Sequence, residues 1–195
     1  VLKVLLDPHG PFTSGCYRPV DILVPDGAVC AALPPEGVVF AYGESTNALL
    51  AAMFQALAGP LGAAAVGGDT GAPNLHSAFG MGARGPWISI GIAGGERGPW
   101  GGSSAGDGDS YSIFMQANSI DPSIESAEVD QPLVILRREY LPDTAGAGRH
   151  RGGAAVLKDT LWREPAEHNL FTLRFKKATG VGVNGGRDGA LGGVW

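Results

Sequence analysis

The sequence predicts an α+β fold, β-rich with many Gly/Pro turns and at least one buried helix at about residues 46–58. Three observations point there. Short apolar runs of strand length recur along the chain, bounded by glycine and proline. One stretch keeps helical spacing of its apolar residues over several turns. The 32 glycines and 14 prolines among 195 residues are dispersed between apolar segments, as many turns require. Hydrophobic content of 44% against 17% charged is enough for the core of one large domain or two small ones. Residues 1–195 are expected to form either one unit or two lobes, 1–105 and 106–195.

Val1–Leu6 is a short apolar run, and Val20–Val24 and Val38–Tyr42 have strand length and composition. Pro25-Asp26-Gly27 and the stretch Pro34-Pro35-Glu36-Gly37 between them are turn signals. The helix is expected over Thr46–Ala58, with Ser45 as its cap and Gly59-Pro60 as its stop. Leu49, Leu50, Met53, Phe54 and Leu57 keep helical spacing and alanines fill most other positions, so burial on most sides is expected. From Gly62 to Gly108 paired glycines alternate with short apolar pieces such as Trp87–Ile92, without a fixed period, and read as close-packed loops. Tyr111–Met115, Leu133–Tyr140, Ala154–Leu157 and Asn169–Phe175 complete the expected strands.

Charge and composition exclude several classes of function. A net charge of −5 and a pI near 5.3 argue against nucleic acid, whose phosphates need a basic surface. The charge is uneven: Asp107–Asp130 holds six acids and no base, while Gln131–Trp195 holds ten Lys and Arg against six acids. The two regions are expected to pair with each other or to face different partners. No uninterrupted apolar run reaches membrane-spanning length, so no membrane partner is expected. Cys16 and Cys30 allow no disulfide framework, and a reducing cytoplasm is the expected setting. Cys16, beside Arg18, could be an activated thiolate, but reads better as a small buried hydrophobe. No phosphate-binding Gly-x-x-x-x-Gly-Lys-Ser/Thr occurs, so ATP, if used, is expected on another chain. His9, His76, His150 and His168 show no metal-ligand spacing.

The stretch with the most chemistry is Arg138–Gly153, REYLPDTAGAGRHRGG, which follows a strand-like run. Its glycines allow close backbone approach. Arg149 and Arg151 offer planar donors for carboxylate or phosphate, and Asp143 could orient either one; equally, the three could form an ion pair bracing a bend. His150, set between two cations, is expected to serve as a neutral acceptor or base. Glu125 and Glu128 would share one face of a helical turn, as a pair for acid–base work or a hard cation, or else cap the helix or pair with an arginine.

These motifs together resemble the B-type subunits of ATP-dependent hydantoinases and 5-oxoprolinases, a family that includes related ketone carboxylase subunits. SGCYRPV at Ser14–Val20 followed by Pro25-Asp26-Gly27 resembles its small-Gly-Cys-aromatic-Arg-Pro element and the turn after it. Gly106-Asp107-Gly108, Asn118, SIESAE at Ser123–Glu128 and Pro132 resemble its Asp-Gly, Asn and Glu-x-x-Glu positions, in order. REYLPDTAGAGRHRGG is the closest match, and Gly180-Val181-Gly182, Asn184-Gly185-Gly186 and Gly189 resemble the glycine element that comes next. Ile88–Trp100 departs from the pattern by lacking an aromatic-Glu pair. Family members extend beyond both ends of the matched region, and the Asp- and His-containing motif associated with metal in the family has no counterpart here.

The resemblance implies part of a B-type subunit acting on a cyclic amide, hydantoin or 5-oxoproline, with an A-type partner that binds ATP and phosphorylates the substrate oxygen. Ketone carboxylation and a non-catalytic assembly role are the alternatives. A hetero-oligomer and a small-molecule substrate are the implied partners. A divalent metal is compatible with the family, but no recognisable motif here would bind it. Asp143, Arg149, Arg151 and His150 are the implied catalytic residues, and Arg18, Asp107, Glu125 and Glu128 the implied substrate contacts.

Overall fold

The computed structural model describes residues 2–3, 7–38, 45–71, 75–91, 97–113, 121–171, 176–178 and 180–193. The architecture is α+β. Helix α1 spans Ser45–Leu61 and α2 Ile124–Asp130. The strands are β1 (Leu75–Gly82), β2 (Gly85–Ile90), β3 (Arg97–Gly98), β4 (Ser112–Ile113), β5 (Leu133–Tyr140), β6 (Val156–Trp162) and β7 (Glu167–Phe171). They form an antiparallel sheet β2-β1-β7, a small β3-β4 pair, and the β5-β6 hairpin.

In β5 a continuous apolar start, Leu133–Leu136, buries Leu133 completely, and Glu128 of α2 accepts the Ile135 backbone N–H at 2.9 Å. Next to that bond the β5-β6 register shifts, between Ile135 and Arg137. Ser123 caps α2 by accepting the Ser126 N–H at 3.1 Å. Two aromatic rings join the hairpin to the β2-β1-β7 sheet. Trp162 of β6 stacks on Trp87 of β2, centroids 5.6 Å apart, and meets His76 of β1 and His168 of β7 edge-on. Gly80 on β1 is required there, because a Cβ would stand 3.0 Å from the Trp87 ring and 2.5 Å from the Pro165 carbonyl.

The elements differ from the sequence expectation in several places. Val20–Val24 forms no strand: it runs between two prolines with Ile22 and Leu23 largely exposed, and no described segment pairs with it. Helix α1 passes through Gly59-Pro60 and ends at Leu61. A proline this close to the end removes only a last-turn hydrogen bond, and its fixed φ suits a helix. Nor is α1 buried on most sides. Asn47, Ala51 and Phe54 make one covered face, while Leu49 is exposed. By length and composition Ser45–Ala64 could cross a membrane, yet its covered face holds the polar Asn47.

Strand β6 starts at Val156, two residues later than expected, and runs on to Trp162. Of the expected strand Tyr111–Met115 the structure describes Ser112–Ile113 as β4, and of Asn169–Phe175 it describes the part within β7. Val1–Leu6 and Val38–Tyr42 lie mostly outside the described residues, as does Asn118. Strand β1 lies within the glycine-rich stretch that reads as loops from sequence. Backbone bonds and strand pairing cross the 105/106 division, among them Trp100 N–H to Asp109 O, Gly68 N–H to Val181 O, and the whole β1-β7 register.

Candidate functional site

The loop after β5 is held by its own short side chains. Leu141 N–H donates to Ala155 O, and Thr144 Oγ1 donates to Leu141 O while accepting from Ala155 N–H, each at 2.8 Å. Between them Asp143 sits in the left-handed region at φ 56°, where aspartate is tolerated better than most residues. The loop then knits to two others. Gly153 N–H donates to Trp100 O and Gly108 N–H to Arg151 O, both at 2.9 Å, while Arg187 N–H donates to Ala147 O at 2.8 Å and Ala190 N–H to Thr144 O at 2.9 Å. A Cβ on Gly153 would lie 2.1 Å from Asp109 O, and one on Gly108 2.0 Å from Trp100 O. Glycine at these two positions therefore allows three backbones to meet, the close packing expected of this stretch.

The structure brings together part of the expected set. Asp107 Oδ1 accepts the Arg151 backbone N–H at 2.8 Å and lies 3.8 Å from His150 Nδ1. The group facing His150 is thus a carboxylate, not the two flanking arginines. Asp143 faces Arg151 at 3.9 Å, with its own side chain 97% exposed, and makes no pair with Arg149. Arg149 is exposed and forms no ion pair among the described residues. Three expected contacts lie elsewhere. Arg18 is the C-cap of an exposed single turn, Ser14–Tyr17. Cys16 in that turn is half-buried and donates to Pro11 O at 3.2 Å. Glu125 is in the first turn of α2, where its own backbone N–H and then Ser123 hold its carboxyl below the usual carboxylate range. Glu128 supports β5 as described. Neither glutamate pairs with an arginine among the described residues.

Beneath the loop lies a cavity of about 340 Å³, lined by glycine-rich segments and by His76, His150, Arg97, Lys158, Asp159 and Arg187. Arg149, Arg151 and Asp143 do not line it. His76, Arg97 and Lys158 carry no signal in the sequence, since they lie on strands of three separate sheets and only the packing of those sheets brings them to one cavity. His76 Nε2 and His168 Nδ1 are 2.9 Å apart with stacked rings, and burial, then His168, lowers the His76 pKa. Lys158 stands opposite Arg138 in the β5-β6 register. Its pKa is lowered by burial above all, against the pull of Asp121, with Arg138 and Arg97 adding to the decrease. Asp121 accepts from both Arg138 and Tyr111, and the Arg138 guanidinium lies 4.5 Å over the Tyr111 ring. Burial, then the Asp121 bond, pushes the Tyr111 hydroxyl up to about 12. Among the described residues no cluster of three His, Cys, Asp or Glu side chains is placed to hold a metal ion.

Comparison with known proteins finds relatives over most of the chain. A protein of Schizosaccharomyces pombe is 28% identical over 207 residues, covering all of this chain and 15% of the relative. A Methanocaldococcus jannaschii protein is 26% identical, covering 98% and 32%, respectively. A provisionally assigned B-type subunit of a D-/L-hydantoinase from Pseudomonas sp. is 25% identical, covering 93% and 30%. The chain thus spans a third or less of these relatives. Among solved structures, nucleotide-free acetone carboxylase shares the fold with a TM-score of 0.55 at 20% identity, over 66% of this chain and 17% of that one. The family profile of Hydantoinase B/oxoprolinase matches residues 1–195, loops and cavity walls included, and the chain belongs to that family.

Proposed function

We propose that this chain is part of the B-type component of an ATP-dependent cyclic amidohydrolase that opens hydantoin or 5-oxoproline rings with an ATP-using A-type partner in a cytoplasmic hetero-oligomer. The observation that supports it is the family match over 1–195, whose signature loop forms one wall of a cavity of small-molecule size. In this reading the partner phosphorylates the substrate oxygen and the B-type part promotes attack by water. Arg149 and Arg151, on the outer side of the loop, clamp developing oxyanion or phosphate charge, and Asp143 restrains Arg151. His150, beside Asp107 at the cavity wall, is the proton carrier. Arg18, Glu125 and Glu128 contact substrate only through surfaces supplied by the rest of the assembly.

Ketone carboxylation is the second reading, supported by the fold shared with acetone carboxylase. Turnover of ATP by the full protein and its co-expressed partner tests both, with hydantoin, 5-oxoproline, or acetone plus bicarbonate. Stimulation by a cyclic amide, with ring-opened product, is expected. Stimulation by the ketone and bicarbonate alone would move the assignment to the carboxylases, and stimulation by none would leave an assembly role.

A further inference from the structure

We propose that His76 of β1 and His168 of β7 form a two-imidazole site for a divalent transition-metal ion of the zinc class, with His76 Nε2 and His168 Nδ1 as its protein ligands. Strand pairing between distant parts of the chain makes the site. The inference does not depend on which reaction the assembly performs.

In the β1-β7 register His76 lies opposite Leu170 and His168 opposite Ala78, so the two histidines are diagonal neighbours on one face of the sheet. Their near nitrogens are 2.9 Å apart, their ring centroids 5.1 Å apart and their planes 30° apart. An ion about 2.0–2.1 Å from each of two imidazole nitrogens, at a tetrahedral angle, sets those nitrogens about 3.3 Å and the ring centroids about 5 Å apart. The centroid spacing is already met, and a small turn of each ring opens the gap between the nitrogens. Trp162 holds both rings in place, meeting His76 and His168 edge-on at centroid distances of 5.6 and 5.3 Å while itself stacked on Trp87. A pair positioned in this way loses less side-chain freedom on binding than two free histidines.

Ions of this class take neutral imidazole as ligand. Burial, then His168, lowers the His76 pKa, which keeps that ring neutral at physiological pH. Without the ion, one ring donates its N–H to the other. The ion displaces that proton, which moves through solvent to the far nitrogen of the same ring. His76 then carries its hydrogen on Nδ1 and His168 on Nε2, and two neutral rings release no net proton. His168 is exposed, which gives the ion a path in, and His76 stands at the wall of the 340 Å³ cavity, which leaves room for water on the remaining coordination positions. Among the described residues no third His, Cys, Asp or Glu joins the pair. Two imidazoles without a carboxylate select against magnesium and calcium, which take oxygen ligands.

The test is calorimetric titration of the metal-stripped full protein with zinc chloride, repeated on His76→Gln, His168→Gln and the control His9→Gln, whose imidazole is exposed and outside the sheets. Affinity for one zinc equivalent is expected to fall about tenfold or more in each sheet variant and to stay unchanged in the control. Magnesium at the same concentration is expected to leave that affinity unchanged. Absence of zinc binding, binding indifferent to His76 and His168, or displacement of zinc by equimolar magnesium overturns the proposal. Should a sheet variant lose its cooperative melting transition, acylation of the unaltered protein with diethyl pyrocarbonate replaces it. Zinc must then slow modification of His168 relative to His9, and equal modification overturns the site.

Discussion

At Asp143 the backbone turns through φ 56° while the carboxylate reaches toward Arg151 at 3.9 Å, so the residue has two separable roles. Asp143→Gly keeps the turn, because glycine adopts the left-handed region freely, and removes the carboxylate. Asp143→Ala removes both and costs about 1 kcal/mol of stability in backbone strain. If the carboxylate restrains Arg151 for catalysis, both variants lose turnover while only the alanine lowers the melting temperature; equal turnover in Asp143→Gly and the parent would reduce Asp143 to a turn residue. The glycines and the arginines of this loop were legible in sequence because their residue types admit few uses. The partner of His150 was not. Asp107 reaches this loop from 44 residues before Arg151, and sequence neighbours gave two arginines in place of the carboxylate that faces the ring.

Among the elements, β5 was recognised with its observed bounds, since a continuous apolar run ending in charge has one obvious conformation. Leu133 is its most enclosed side chain, and Leu133→Ala is expected to cost about 2–5 kcal/mol, measured by denaturant unfolding of the full protein. Strand β1 is not legible in the sequence because Gly80 and Gly82 weaken its β signal. Gly80 is there for a tertiary reason, the Trp87 ring and the Pro165 carbonyl, which no local pattern reveals. Burial on most sides of α1 was overestimated because its alanines carry the same apolar label on the covered face and on the open one.

The His76–His168 contact between β1 and β7 makes sheet stability depend on pH. Burial and its neighbour lower the His76 pKa from 6.5, so below about pH 6.5 the unfolded chain takes up a proton that the folded chain resists. Stability is therefore full above that range and falls as pH decreases through it. His76→Gln should flatten the melting temperature between pH 7 and 5; an unchanged slope would show that the pair does not govern it.

Across the whole molecule, the charge division read from the sequence becomes a set of contacts. Acids of the 107–130 region meet bases of the C-terminal region at Asp121–Arg138 and at Asp107 with His150 and the Arg151 backbone. Of the two expectations, mutual pairing is realised for these acids. The cavity was not legible, because Arg97, Lys158 and His76 come from three strands in separate parts of the chain, and only the packing of the sheets brings them to one wall. The chain spans a third or less of its relatives, and under the proposed function the arginines on the outer side of the signature loop face the remainder of the assembly. Turnover of ATP by the purified full-length assembly, with its stimulating substrate and Arg151→Ala in place, tests this account most directly, with subunit composition measured on the same preparation. The account predicts an intact assembly whose turnover falls about 100-fold. An intact assembly with unchanged turnover, or dissociation of the subunits, would contradict it.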